Sequence, residues 1–130
     1  MVQRTAATPK ARAGGAKARH RPVDMVHLAK QTLGDRSLEL EVLRLFDETA
    51  QVYFRRIEDS TNADELMRHL HTLKGAAAGV GARAIATLAA TAEADLRAGA
   101  PVDPERIHDL EMAVTECCAW IEAVLGEDRS

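Results

Sequence analysis

From about residue 23 onward, apolar residues recur at spacings of three and four, the period of amphipathic helices. A short first helix is predicted from Asp24, a suitable N-cap, through Met25, Leu28 and Ala29 to Leu33, where Gly34-Asp35 interrupts it. It would act as a lid on a helical bundle. A long second helix begins after Ser37, carries Leu38, Val42, Leu45, Phe46, Thr49, Val52, Tyr53 and Ile57 as its inward stripe, and ends near Asp59. A third opens near Asn62 or Ala63, with Leu66, Leu70, Leu73, Ala77 and Val80 facing the core. A fourth follows Gly81, turns Ile85, Leu88, Ala89, Ala92 and Leu96 inward, and stops at Gly99-Ala100-Pro101. Asp103-Pro104 starts the last, since Asp suits an N-cap and Pro the first helical position. Its buried stripe is Ile107, Leu110, Val114, Cys117, Cys118, Ile121 and Leu125. Four long helices with short links predict an all-α, antiparallel up-down four-helix bundle with a short additional N-terminal helix, spanning residues 23–126. Residues 127–130 are expected to form a flexible C-terminus.

Composition agrees with helices: only 3% of the 130 residues are aromatic, and Ala and Leu are abundant. Charge divides the chain. Six of its 17 basic residues (Arg4, Lys10, Arg12, Lys17, Arg19 and Arg21) and none of its 20 acidic ones lie in residues 1–22, giving +6 there and −9 in the remainder. With Pro9, Gly14, Gly15 and Pro22 and no apolar period, residues 1–22 read as a disordered basic arm. A solvated tail is the simplest reading, a nonspecific contact to acidic surfaces or nucleic acid the next. A targeting peptide fits least, because the arm lacks an amphipathic apolar face. No stretch approaches the length of a membrane span. A cytoplasmic protein with no membrane insertion and no specific nucleic acid binding is expected. Cys117 and Cys118 are adjacent in a helix, so their side chains diverge by about 100° and reduced, packed thiols are expected.

The chemistry concentrates in the third helix. His71 lies about 100° around the helix from Leu70 and falls on a flanking stripe with Asp64, Arg68, Lys74, Gly75 and Ala78, outside the leucine ladder. An imidazole with an ammonium one turn away suits a nucleophile for phosphoryl groups, provided a partner supplies the rest of the catalytic apparatus. Gly75 costs a helix interior about 1 kcal/mol relative to Ala, although Ala fills the next three positions. Gly75 and Ala78 therefore suggest a cleared landing area beside His71. His69 points to nearly the opposite side from His71, which makes chelation by the pair impossible and argues against a second phosphoacceptor. His20, His27 and His108 show no metal-ligand spacing, and no metal site is expected.

His71-x-Leu73-Lys74-Gly75, followed by a small-residue run and Gly81-Ala82, resembles the signature of the histidine-containing phosphotransfer (HPt) domain of bacterial and fungal phosphorelays. The resemblance takes in residues 23–126, including the Asp-led first segment, the Gly-Asp link, Phe46 in the long helix, and Leu88 and Glu93 after the motif. It implies that His71 accepts a phosphoryl group on Nε2 from a receiver-domain aspartyl phosphate and passes it to a second receiver. The receivers would belong to a hybrid histidine kinase and a downstream regulator and would bring the Mg²⁺, so the chain itself would need no cofactor. By the same resemblance Lys74 steadies phosphate charge, Gly75 admits the receiver with Arg68 and Ala78 beside it, and Glu93 holds the other imidazole nitrogen.

Two other classes compete. An autokinase fragment would place Glu or Asp and then Arg and Pro after its histidine, whereas this chain has Thr72-Leu73-Lys74-Gly75, and it has no glycine-rich nucleotide loop. A non-catalytic helical bundle that only binds partners gives no reason for an exposed His-Lys-Gly stripe.

Overall fold

The computed structural model describes residues 21–129. Most of the basic arm assigned to residues 1–22, His20 included, lies outside them. The chain forms α1 (Met25–Gln31), α2 (Arg36–Glu58), α3 (Ala63–Val80), α4 (Arg83–Arg97) and α5 (Pro104–Arg129). The four long helices form a bundle in which α2 packs against α3 and α5, and α4 against the same two. Arg36 at the start of α2 reaches Asp128 at the end of α5, and Asp95 near the end of α4 pairs with Arg106 near the start of α5. Neighbouring helices therefore run antiparallel. The core combines Leu43, Phe46, Phe54 and Ile57 of α2 with Leu70 and Leu73 of α3, Ile85 and Ala89 of α4, and Leu110, Val114 and Ile121 of α5.

Side-chain caps set most helix starts. Asp24 accepts from His27 N, Asp35 from Leu38 N and Asn62 from Glu65 N, each satisfying an otherwise orphaned amide. Glu65 reaches back to Thr61 N, reinforcing the start of α3. Asp103 accepts from Glu105 N at the start of α5.

Four expectations require correction. Helix α1 ends at Gln31 rather than Leu33: the Thr32 hydroxyl turns back to Leu28 O, and Leu33 and Gly34 both take positive φ, leaving Leu33 almost fully exposed. Helix α2 starts earlier than Ser37 because Asp35 provides its cap. More consequentially, α2 is rotated from the orientation its stripe predicted. Leu38, Leu45 and Val52 are exposed, while Leu43, Ala50 and Phe54 are buried beside Phe46 and Ile57. Both stripes satisfy three-and-four spacing, so neighbouring helices choose between them. Tyr53 meets the ring of His69 on α3, and Cys118 on α5 donates to Asp47 O. At the other end of the chain, α5 continues beyond residue 126 to Arg129.

Helix α1 is fastened where α3 passes into α4. Asp24 N donates to Gly81 O, His27 Nε2 donates to Gly79 O at 3.1 Å, and Arg83 pairs with Asp24. Gly81 ends α3 at φ 87°, and a Cβ there would lie 3.1 Å from Asp24 O, so glycine serves both the turn and the close approach of α1. Both cysteines are free and buried. Burial, with Asp47 and Glu116 nearby, pushes the Cys117 thiol up to about 12, and burial and Asp47 raise Cys118 as well. Neither forms a thiolate readily.

Candidate functional site

Leu70 and Leu73 are fully buried, and the helical step between them turns His71 outward, leaving its side chain 61% exposed. Across the α3–α4 groove, Glu93 flanks the buried Ala92 and is itself only 2% exposed. Glu93 Oε2 lies 3.0 Å from His71 Nδ1. Lys74 Nζ approaches Oε1 at 2.8 Å, and Arg97, one turn further along α4, reaches Oε2 at 2.6 Å. Oε1 is buried and has no well-aligned hydrogen bond, so the Lys74 contact acts there through charge.

Burial by itself would raise the Glu93 carboxyl. The close contacts of Lys74 and His71, with the charges of Lys74 and Arg97, outweigh burial and hold it below the usual carboxylate range. An ionised carboxylate can only accept, so Nδ1 of His71 must carry a proton. In the neutral ring Nε2 then keeps its lone pair, and no hydrogen bond among the described residues engages it. A fixed ring with an open Nε2 can act as a nucleophile toward an incoming electrophile.

A surface cavity of about 590 Å³ adjoins His71, lined by Asp64, Met67, Arg68, Thr72, Glu93 and Arg97. Of the residues expected at the site, His71 and Lys74 each contact Glu93 directly. Arg68 lines the cavity. Gly75 and Ala78 are exposed on α3. A Cβ on Gly75 would meet nothing within 4 Å, so packing within the chain does not require the glycine. Lys74 is more committed than its position in the sequence suggested, with its ammonium held by Glu93. Arg97 was not anticipated; the available signal was its place one turn beyond Glu93, where a basic side chain can reach back to the carboxylate. His69 lies on the α2 side of α3 against Tyr53, over which Arg56 also stacks. His27 serves the α1 junction, and His108 lies 3.8 Å from Glu111. Among the described residues no group of three or more His, Cys, Asp or Glu side chains could hold a metal ion. No described helix is long and apolar enough to cross a membrane.

A comparison with known families finds a match to the Hpt domain over residues 41–124, from within α2 to within α5, with His71, Lys74, Gly75, Glu93 and Arg97 all inside it. No curated protein and no solved structure matches the chain. The match covers well over half the sequence and falls on the bundle that exposes His71, and the chain therefore belongs to the Hpt domain family, the phosphotransfer modules of phosphorelays.

Proposed function

We propose that the chain is a phosphorelay intermediate in which His71 Nε2 accepts a phosphoryl group from a receiver-domain aspartyl phosphate and passes it to another receiver. The observation that carries this reading is the 3.0 Å contact between His71 Nδ1 and the buried Glu93, which leaves Nε2 as the free nucleophile. In the accepting step the Nε2 lone pair attacks phosphorus, and the P–O bond to the aspartyl group breaks with its electrons returning to the carboxylate. Delivery reverses these bond changes on a second aspartate.

Glu93 fixes the tautomer and the orientation of the ring. Lys74 contributes positive charge near the incoming phosphoryl group while bound to Glu93. Arg68, Gly75 and Ala78 form part of the face on which the receiver docks, and Gly75 leaves room for close approach. Mg²⁺ and the remaining catalytic groups come from the receiver, so the chain is a phosphocarrier without autokinase activity. Its receivers belong to a hybrid histidine kinase and a downstream regulator, and it acts in the cytoplasm.

Mass spectrometry after mixing with phosphorylated receivers tests this reading. One acid-labile phosphate is expected, lost in His71→Gln and retained in His69→Gln. Transfer that survives His71→Gln, or no transfer from any receiver of the source cell, refutes it.

A further inference from the structure

A single carboxylate oxygen serves two nitrogen donors: Glu93 Oε2 faces both His71 Nδ1 at 3.0 Å and Arg97 at 2.6 Å. We propose that Glu93, a charged partner shared between His71 and Arg97, keeps the proton on Nδ1 after Nε2 has been phosphorylated and thereby keeps the phosphoryl group transferable. The inference rests on His71 as the phosphoacceptor but goes beyond orientation of the ring.

The reason lies in the electron count. When the lone pair of Nε2 forms the N–P bond and Nδ1 keeps its hydrogen, the ring becomes a cation. When the phosphoryl group leaves for an aspartate, the N–P electron pair returns to Nε2 and the ring departs as neutral imidazole, still protonated on Nδ1. Without that proton the departing ring would be an imidazolate anion, a far poorer leaving group. A carboxylate at hydrogen-bond distance favours the cation through its charge, whereas an amide of the same shape could accept the hydrogen bond but not oppose the charge. Glu93 remains available for this because its neighbours hold it ionised.

The surrounding charges set how strongly Glu93 acts. Lys74 from α3 occupies Oε1, and Arg97 from α4 shares Oε2. Asp64 and Arg68 from α3 line the adjoining cavity. Arg106, from α5, is taken up by Asp95 at 2.7 Å. Arg97 thus weakens the hold of Glu93 on the ring, and removing its charge should strengthen that hold. Glu93 is a positioning residue with an electrostatic role, and substitutions at Glu93 and at Arg97 should move one measurement in opposite directions.

The test uses the full chain labelled on His71 with phosphoramidate, a small donor that needs no receiver. The ³¹P resonance of the phosphoimidazole is followed against pH, together with phosphate release. In Glu93→Gln the midpoint is expected to move towards acid by about one pH unit, at the lower end of the range for loss of an adjacent opposite charge. In Arg97→Gln it should move the other way by a smaller amount. Phosphate release should lose its protonation-dependent phase at correspondingly shifted pH.

Superimposable titrations in wild type and both variants, with unchanged helicity, overturn the proposal. If Glu93→Gln does not fold, Arg97→Gln alone decides, because Arg97 is largely exposed and an unshifted midpoint there is sufficient refutation. Failure of receivers to phosphorylate a chain that shows the expected shifts defeats the relay reading and leaves this one standing. Normal relay with coincident titrations does the reverse, and a His71 that phosphoramidate cannot label overturns both.

Discussion

His71 and Glu93 are 22 residues apart in sequence and 3.0 Å apart in space, joined through Nδ1 and Oε2 across the α3–α4 groove. One member is mostly exposed and the other almost completely buried. That asymmetry lets a surface imidazole be held by an acceptor that water does not screen well.

The same burial makes the stability of the bundle depend on pH. Glu93 is held below the usual carboxylate range in the folded chain, so its contribution is fully present above the unfolded value and is lost as pH falls through the folded one. Urea unfolding should show Glu93→Gln less stable than wild type near neutrality, by on the order of 1 kcal/mol. The gap should narrow as pH falls below the ordinary carboxylate range and the wild-type carboxylate is protonated. A gap that widens with acid would contradict the assignment.

On the proposed receiver face, substitution of Gly75 should separate folding from docking. Its added side chain would enter open space, and Gln is a much better helix former, so Gly75→Gln should raise stability by about 0.5–1 kcal/mol. Receiver transfer should slow by about tenfold, the equivalent of roughly 1.4 kcal/mol of lost association. Thermal unfolding and a transfer time course measure the two effects. Unchanged transfer would mean that the receiver does not approach over Gly75.

The rotation of α2 can be read from two leucines. Leu43 is fully buried, and Leu43→Ala should cost about 2–5 kcal/mol. Leu45 is half exposed, and Leu45→Ala should stay within about 0.5 kcal/mol of wild type. Denaturant midpoints of the two variants compare these costs, and the opposite order would place the predicted stripe, not the observed one, in the core.

Gly81→Ala should loosen the α1 junction. A left-handed conformation costs a non-glycine residue about 1–2 kcal/mol, and the new Cβ would press on Asp24 O. Hydrogen exchange should accelerate over residues 24–31 more than in α3 or α5. Equal acceleration everywhere would show that α1 is not held at this point.

The sequence already contained the order of the helices. Asp24, Asn62 and Asp103-Pro104 signalled starts, and Gly81 and Gly99 stops, because capping and left-handed glycine are local effects that need no neighbouring helix. The leucine ladder of α3 likewise placed His71 outside the core, since Leu66, Leu70, Leu73 and Ala77 define one narrow face. Helix α2 resisted this reading because it is apolar over two adjacent faces. Packing of Leu43, Ala50 and Phe54 in the core that α3 and α5 share, with Cys118 donating to Asp47 O, selects which face turns inward. The site divides in the same way. His71, Lys74 and Gly75 belong to one helical stripe and were legible from spacing alone, and Glu93 was reached through family resemblance. Arg97 and the sharing of one carboxylate among three partners were not legible, because the relevant distances run between α3 and α4. The sequence by itself determined the helices, the ends of α3 and α4 and the exposed imidazole, all consequences of local backbone chemistry. Tertiary packing decided which charges meet beneath that imidazole, because a buried carboxylate remains ionised only where folding brings cations to it.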